Sequence, residues 1–220
     1  MSKSLLLRRL SMVAVGVALT GCGSVEPVAY TGIASSSYLQ PDARDETGRI
    51  PLHYSTPVDW RAYSKAMVDP VTIYRGPDNQ FGDMPETDKD ALAHYMQAQF
   101  VEKLASRFQI TDQPDARTLR IRLTMTGADT TTPVLGALLH FDIAGGIYNG
   151  VQSIRGGEGL LTGWVTYAVE VFDARTHRLL KAYVTKQYPN SMNIGASFGS
   201  LAAAETGIKK GAYSLLEQLR

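Results

Sequence analysis

The 220-residue sequence predicts an α+β fold, a two-layer sandwich in which a mainly antiparallel sheet of about four strands carries two helices on one face. Two patterns of apolar residues, one typical of strands and one of helices, favour this class. Segments in which apolar and polar residues alternate, as in half-buried strands, lie between two segments with apolar residues at helical spacing. The predicted order is strand, helix, strand, a glycine-rich insert, strand, strand and helix.

The first strand and helix are predicted from residues 71–108. Residues 71–74 are a short β-rich run between Pro70 and Gly76. A helix of about twenty residues follows, and Thr87 and Asp90 have the spacing of a capping box at its start. Every fourth residue along the helix is apolar, namely Leu92, Met96, Phe100, Leu104 and Phe108. Core packing is the expected use of this face, and a ligand site is the alternative.

The central strand is predicted over residues 119–126, where Arg120 and Arg122 alternate with apolar residues. Residues 163–172 and 179–188 are predicted to form an antiparallel hairpin. We take the two arginines, together with Trp164 in the hairpin, as candidate contacts for a ligand or partner. A solvated sheet face is the alternative for the arginines.

The last helix is predicted over residues 201–219, with Gly207 and Gly211 one turn apart. Glycine destabilises a helix interior, so close approach of this helix to the sheet is expected as a compensation.

The insert, residues 133–161, has apolar residues at helical spacing but is interrupted by glycines, each of which costs roughly 1 kcal/mol in a helix. Leu139, Ile143 and Ile147 are its candidate contact residues for lipid or a partner groove. The alternative is that the insert folds over the open face of the sheet. We favour that alternative because a long exposed apolar segment promotes aggregation.

Residues 1–21 are predicted to be a secretory signal peptide. Lys3, Arg8 and Arg9 precede an uncharged run over residues 10–19, which is shorter than the roughly 20 residues that a membrane-spanning helix needs. A basic start, a short apolar middle and small residues at the end are typical of a signal peptide.

The only cysteine of the chain, Cys22, follows Leu19, Thr20 and Gly21. This stretch resembles the lipobox of bacterial lipoproteins, which implies that Cys22 carries an S-diacylglycerol and an N-acyl chain such as palmitate. The alternatives are an incidental thiol and cleavage by the ordinary signal peptidase, whose A-x-A pattern is missing here. By the same resemblance, Gly23 in place of aspartate implies the outer membrane of a Gram-negative envelope, on the periplasmic face.

Three segments follow from these observations. Residues 1–21 are the signal peptide, and residues 22–57, which are polar and rich in Ser, Pro, Asp and Gly, are the lipidated N-terminus and a tether that is partly ordered near Tyr38-Leu39. Residues 58–220 remain for a single α+β periplasmic domain, a length that is sufficient for one core.

Composition and motifs argue against several classes of function. The formal net charge is +1, and three basic residues leave with the signal peptide, so the chain lacks the basic surface that nucleic acids require. The sequence has no phosphate-binding loop ending in Gly-Lys-Ser/Thr, no Gly-x-Ser-x-Gly elbow and no zinc-type histidine spacing. We therefore expect no metal, no cofactor and no catalytic site.

The leading hypothesis is a non-enzymatic lipoprotein that binds an envelope protein or acts as an accessory subunit of an envelope transport or assembly system. The alternative is a small-ligand or lipid-binding module that uses the sheet face and residues 133–161. The membrane, through Cys22, and an envelope protein are the expected partners. The sequence leaves the oligomeric state open.

Several motifs are similar to the signature of a bacterial lipoprotein family called domain of unknown function 3313. In that family an aromatic residue and a tyrosine precede Asp-Pro-Val, as Trp60 and Tyr63 precede Asp69-Pro70-Val71 here. Further segments resemble its aromatic-Leu pair, its central strand and its acidic strand before an Asp-x-x-Thr-Gly hairpin, namely Tyr38-Leu39, residues 120–124 and residues 170–173 with Thr176. The glycine of that hairpin is His177 here, which leaves a left-handed conformation at this position open. The resemblance implies an exported lipoprotein without known activity.

Overall fold

The structure, a computed structural model, describes residues 25–130, 163–189 and 201–220. Within these ranges the chain forms eight strands and two α-helices. The strands are β1 (Gln40–Pro41), β2 (Leu52–Ser55), β3 (Lys65–Val68), β4 (Thr72–Ile73), β5 (Gln109–Ile110), β6 (Thr118–Asp129), β7 (Trp164–Asp173) and β8 (Leu179–Gln187). The helices are α1 (Glu86–Ala105) and α2 (Ala202–Gln218).

The eight strands form one mixed sheet in the order β1-β2-β8-β7-β6-β3-β5, with β4 beside β6. The neighbours from β1 to β6 are antiparallel, whereas β3 and β4 run parallel to β6, and β5 runs parallel to β3. The predicted sheet of about four mainly antiparallel strands is therefore wrong in both size and pairing. The strands that it lacks are two to four residues long, too short to show a period in the sequence.

The centre of the sheet agrees with the prediction. Strands β6 and β7 pair over ten residue pairs, from Leu119 opposite Asp173 to Asp129 opposite Trp164. Strand β8 returns along β7 as the other arm of an antiparallel hairpin. These long strands carry the alternation that identified them.

Both helices lie on one face of the sheet, as predicted, and they contact each other. Four residues of the predicted α1 stripe, namely Leu92, Met96, Phe100 and Leu104, are fully buried, and Phe108 is buried just after the helix. The Phe100 ring meets the Tyr167 ring of β7 edge to face, with the ring centroids 5.9 Å apart. Core packing is therefore the role of this stripe.

The start of α1 differs from the prediction. The helix begins at Glu86, and Pro85 occupies the N-cap position without a side-chain cap hydrogen bond. Thr87 therefore lies inside the first turn, so the predicted capping box with Asp90 is wrong. The Glu86 carboxylate instead pairs with Arg75 and with Lys89.

Helix α2 approaches the sheet closely through its two glycines, as expected. A Cβ atom on Gly207 would lie 2.8 Å from the backbone oxygen of Gln187, and one on Gly211 would lie 2.9 Å from Cζ of Tyr167. A side chain at Gly207 would press on the backbone of β8, and one at Gly211 would displace either the Tyr167 side chain or the helix.

A second, smaller core covers part of the opposite face of the sheet. Tyr30, Ile33 and Leu39 are buried there against small and branched residues of β7 and β8, namely Ala168, Ala182 and Val184. The backbone N–H of Ser35 donates a hydrogen bond of 2.7 Å to Glu170, which is only 3% exposed. The order at Leu39 agrees with the tether predicted over residues 22–57, for which the sequence indicates order only near Tyr38-Leu39, but the ordered part is much longer than predicted. Residues from about 30 onward belong to the fold because they bury apolar surface that a solvated tether would expose.

Candidate functional site

The predicted lipidation site and the predicted insert contacts lie outside the described residues. Cys22 and the lipobox residues Leu19, Thr20 and Gly21 precede residue 25, and the three insert contacts, Leu139, Ile143 and Ile147, lie within residues 131–162. All of them stay predictions.

The two arginines of the central strand converge on one carboxylate. Arg120 Nε lies 2.9 Å from both carboxylate oxygens of Asp69, and Arg122 Nε lies 3.1 Å from Oδ2 of the same residue. Asp69 lies between β3 and β4, and its backbone N–H donates to the carbonyl of Ile121. Pro70, which has no N–H, follows at this break between the two strands.

These arginines are therefore components of an internal ion-pair network. Their side chains are 30% and 40% exposed, and the guanidinium of Arg122 also lies 5.0 Å from the centroid of the Phe172 ring. One carboxylate thus serves two guanidinium groups. The two arginines can still contact an anion or a partner. Their bonds to Asp69 join β6 to the segment between β3 and β4.

The Asp-x-x-Thr hairpin forms a second link between distant segments. Tyr63 donates a hydrogen bond of 2.9 Å from its hydroxyl to Oδ2 of Asp173. The other oxygen, Oδ1, accepts hydrogen bonds from the backbone N–H groups of Arg175 and Thr176 and from the Thr176 hydroxyl. His177 has φ 59°, so this turn keeps the left-handed conformation although the residue is not glycine.

Trp164 is not an exposed contact residue. It is buried at the start of β7, and the Lys186 ammonium lies 4.9 Å from the centroid of its indole ring. Its position fits a packing role at the end of the sheet.

A cleft of about 320 Å³ opens between the β1–β2 loop and helix α2. We call it the 42–50 cleft, after the loop residues that form one wall. Three basic and two acidic side chains line it, namely Arg44, Arg49, Lys210, Asp42 and Asp45, together with polar residues such as Gln187 and Ser214.

Arg49 is held in a fixed position at this cleft. Its guanidinium carbon lies 3.6 Å from the centroid of the Tyr188 ring. One of its terminal nitrogens donates to the side-chain oxygen of Gln187 at 3.2 Å and to the carbonyl of Tyr188 at 3.3 Å. The ring contact and the two hydrogen bonds restrict the guanidinium to one place at the end of β8.

Lys210 contributes a second positive charge, from α2. Although the residue is exposed overall, partial burial of its amine and the nearby charge of Arg49 lower the pKa of Lys210 to about 8. Within the described residues, its ammonium makes no ion pair and no hydrogen bond.

The two carboxylates of the cleft are occupied by their own loop. Asp45 accepts hydrogen bonds from the N–H and hydroxyl of Thr47 and from the N–H of Ile50. Asp42 accepts from the N–H and Nε of Arg44, and it lies 3.4 Å from Nδ1 of His53. They therefore order the loop, and neither of them pairs with Lys210.

The described residues contain no cluster of three or more His, Cys, Asp or Glu side chains arranged to hold a metal ion. Neither of the described helices is long and apolar enough to cross a membrane.

Sequence reasoning missed the 42–50 cleft. Its loop wall was assigned to the tether, and Lys210 lies on the polar face of the last helix, where a solvated lysine is the ordinary expectation. The pairs that build the cleft join residues far apart in the chain, such as Arg49 and Gln187. No local pattern in the sequence marks them.

Comparison with known proteins identifies the family. The family model described as "Protein of unknown function (DUF3313)" matches residues 29–215. This chain belongs to the DUF3313 family. The match begins at Ala29, next to Tyr30, the first residue of the buried hydrophobic core. No curated protein matches the chain.

Solved structures resemble the DUF3313 chain only distantly. A PelC dodecamer from Paraburkholderia phytofirmans is 12% identical, with a TM-score of 0.41, over 74% of this chain and 94% of that one. Protein XCC0632 from Xanthomonas campestris, of family DUF330, is 11% identical, with a TM-score of 0.35, over 70% and 82%. Hypothetical protein CT253 from Chlamydia trachomatis is 9% identical, with a TM-score of 0.29, over 70% and 94%. At these TM-scores the likenesses say nothing about function.

The DUF3313 motifs named above now have a physical interpretation. Asp69 of the Asp-Pro-Val motif binds the arginines of the central strand, and Tyr63 binds Asp173 of the hairpin motif. Because each motif residue contacts another motif, these residues describe a structural framework. They do not by themselves mark a ligand site.

Proposed function

We propose that this DUF3313 protein is an outer-membrane lipoprotein, anchored through lipid on Cys22 and facing the periplasm, that acts without catalysis. In this proposal it binds an envelope protein or serves as an accessory subunit of an envelope transport or assembly system. The lipobox supports the anchor, and the structure adds a constraint on where the domain would sit.

The observation that carries the proposal is a hydrogen bond close to the predicted anchor. The side-chain amide of Gln80 donates a hydrogen bond of 2.8 Å to the carbonyl of Glu26. Cys22 precedes Glu26 by four residues, which can span at most about 14 Å when fully extended. A lipid on Cys22 would therefore hold the folded domain against the membrane surface, whereas a tether of about 30 flexible residues would let it reach roughly 30 Å.

The same contact indicates which end of the sheet would face the membrane. Gln80 forms a bridge with Gly127, near the end of β6. In the sheet, that end of β6 lies beside the start of β7 and the end of β8, since Ala128 pairs with Val165 and Val165 pairs with Gln187. A domain with a fixed end and a short anchor is suited to a subunit that docks at the membrane surface.

The structure gives little support to the alternative function, a ligand-binding module on the open sheet face. Tyr30, Ile33 and Leu39 cover the part of that face formed by β7 and β8, which is therefore not open. The part of the alternative that depends on residues 133–161 lies outside the described residues. Ligand binding is instead favoured at the 42–50 cleft, on another part of the molecule.

Photo-crosslinking in cells tests the partner role directly. We would place a photo-reactive amino acid at the exposed positions Tyr38 and Tyr213, one at a time, in the full chain. A partner-binding role predicts a discrete adduct with an envelope protein from at least one position, and its loss when Cys22→Ala is added. The buried position Tyr167 is the matched control and should give no adduct with another protein.

Adducts no stronger than this control at both positions, followed by an empty pull-down after general chemical crosslinking, would count against a partner-binding subunit.

A further inference from the structure

We propose that the 42–50 cleft binds a phosphate group, supplied either by a lipid headgroup at the membrane surface or by a free phosphate. The inference goes beyond the proposed function because it assigns a binding site and a ligand chemistry. Its headgroup form rests on the proposed anchoring, whereas its free-phosphate form does not.

The charges of the cleft favour an anion. Lys210 and Arg49 are close enough for the guanidinium to influence the ammonium, and Lys210 has no carboxylate partner within the described residues. Asp42 and Asp45 are engaged by their own loop. Two like charges in one concave site repel each other, and a bound oxyanion would remove that repulsion.

The donor geometry favours phosphate. The guanidinium of Arg49 is planar and lies against the Tyr188 ring, and arginine is a preferred ligand for phosphate oxygens. The Ser214 hydroxyl accepts a hydrogen bond from Gln218 at 3.2 Å and can donate its proton to the cleft. An ammonium, a fixed guanidinium and a hydroxyl together offer the donors that a tetrahedral oxyanion accepts. The cleft volume of about 320 Å³ accommodates a phosphate with part of the group that carries it.

The position of the cleft connects it with the membrane. Gln187 lines the cleft and follows Lys186 in β8, and Lys186 pairs with Thr166 of β7. Thr166 in turn pairs with Gly127, the residue bridged to Gln80. The cleft therefore lies at the same end of the sheet as Gln80, which holds Glu26. If Cys22 is lipidated, the headgroups of the anchoring membrane are the nearest abundant source of phosphate.

The test is acylation footprinting of the full lipidated protein, purified from membranes in a non-ionic detergent. An amine-reactive acylating reagent is applied near neutral pH, and the modification of Lys210 and of its neighbour Lys209 is measured by peptide mass spectrometry. Lys209 is the matched internal control because it lies beside Tyr95, away from the cleft. A bound phosphate that raises the pKa of Lys210 by one unit should slow its acylation about tenfold.

Three conditions distinguish the source of the phosphate. Inorganic phosphate is added in detergent; the protein is reconstituted in phosphatidylglycerol vesicles without free phosphate; and it is reconstituted in vesicles of digalactosyldiacylglycerol, which contains no phosphate. Protection of Lys210, but not of Lys209, by inorganic phosphate supports the site. Protection in the phospholipid vesicles alone, and not in the glycolipid vesicles, assigns the group to a lipid headgroup.

Three results would overturn the proposal. The first is an unchanged rate of Lys210 acylation in all conditions, and the second is equal protection of Lys209. The third is equal protection of Lys210 when succinate replaces inorganic phosphate, which would indicate an unselective anion surface. A Lys210→Met variant gives a second measurement, since its calorimetric affinity for inorganic phosphate should fall at least tenfold while Lys209→Met leaves it unchanged. If an alkyne fatty acid does not label the full chain in cells, but inorganic phosphate still protects Lys210 from acylation, the anchor is overturned and the phosphate site is not.

Discussion

Arg120 Nε lies 2.9 Å from both carboxylate oxygens of Asp69, a residue 51 positions earlier in the chain. Arg122 Nε shares one of these oxygens, so a single carboxylate holds two cations at the junction of β3, β4 and β6. The Asp-Pro-Val motif thus fixes the parallel part of the sheet to its central strand. Loss of the Asp69 carboxylate is therefore expected to lower the stability of the fold.

Asp69→Asn should lower the free energy of unfolding by about 1–3 kcal/mol, because two partly buried guanidinium groups lose their counter-charge. Urea denaturation monitored by circular dichroism measures the change. Asp59→Asn is the matched control, since Asp59 is 61% exposed and pairs only with the nearby Arg61. An exposed pair of this kind contributes at most about 1 kcal/mol. Equal stability of Asp69→Asn and the unsubstituted protein would refute the structural role of the motif.

Substitutions at His177 should show that its left-handed conformation is strained. A non-glycine residue with φ 59° costs about 1–2 kcal/mol, and glycine removes that cost but adds unfolded-state entropy of about 0.5–1 kcal/mol. His177→Gly should therefore stabilise the protein by up to about 1 kcal/mol, whereas His177→Val should destabilise it. Thermal unfolding of both variants provides the comparison. If valine is tolerated as well as glycine, the turn does not have this conformation in solution.

Gly211 and Tyr167 should be energetically coupled. The Tyr167 hydroxyl is buried without a hydrogen-bond partner among the described residues, and it occupies the space that a Cβ on Gly211 would need. Gly211→Ala should destabilise by about 1–3 kcal/mol despite the better helix propensity of alanine. Tyr167→Phe should leave stability unchanged or raise it, and should rescue part of the loss in the double variant.

A double-mutant cycle measured by urea denaturation should give a coupling above about 0.5 kcal/mol for this pair. The matched control is Gly207→Ala, whose Cβ would meet the backbone of Gln187 and should show no coupling to Tyr167→Phe. Strict additivity of Gly211→Ala and Tyr167→Phe would contradict the packing of α2 on β7.

Asp115 should make stability depend on acid pH. Hydrogen bonds from Lys65, from the backbone N–H of Arg117 and from the Thr118 hydroxyl lower the pKa of Asp115 to about 2. A carboxyl whose pKa is lower in the folded than in the unfolded state stabilises the fold above its unfolded pKa, near 4. That contribution is lost as the pH falls through about 2.

Asp115→Asn should therefore be less stable than the unsubstituted protein at pH 7, and the difference should shrink as the pH falls from about 4 to about 2. Unfolding free energies of the two proteins at pH 7, 4 and 2 give this difference directly. A gap of the same size at every pH would show that charge on Asp115 is not the cause.

The long periodic segments of the fold could be predicted from the sequence. Helices α1 and α2 and strands β6, β7 and β8 are long enough for their apolar residues to repeat, and each lies where its pattern indicated. Strands β2, β3 and β5 could not be found in this way because they have four residues or fewer and pair with partners far along the chain. Their pairing is decided by tertiary contacts.

The extent of the ordered N-terminal segment could not be predicted, for a similar reason. Tyr30, Ile33 and Leu39 have no regular spacing and stand among serines, prolines and acidic residues, a composition typical of a solvated linker. They become core residues only because β7 and β8 present the small side chains Ala168 and Ala182 beneath them. Local composition does not contain that information.

The candidate sites, too, could be predicted only in part from local sequence patterns. Alternation in the central strand correctly placed Arg120 and Arg122 away from the helix-facing core, but it could not reveal Asp69 as their partner. The 42–50 cleft joins a loop, the end of β8 and the polar side of α2. Charged residues in a loop or on a helix surface are ordinary, and only the fold shows that Arg49 and Lys210 share one concave site.

Lipid attachment at Cys22 is the claim on which the proposed position at the membrane depends, and metabolic labelling in cells with an alkyne fatty acid tests it most directly. The full chain and a Gly23→Ala control should be labelled, whereas Cys22→Ala, which removes the only thiol, should lose the label and leave the membrane fraction. Labelling of Cys22→Ala at the level of the unsubstituted chain would contradict the anchor, and with it the placement of this domain at the membrane surface.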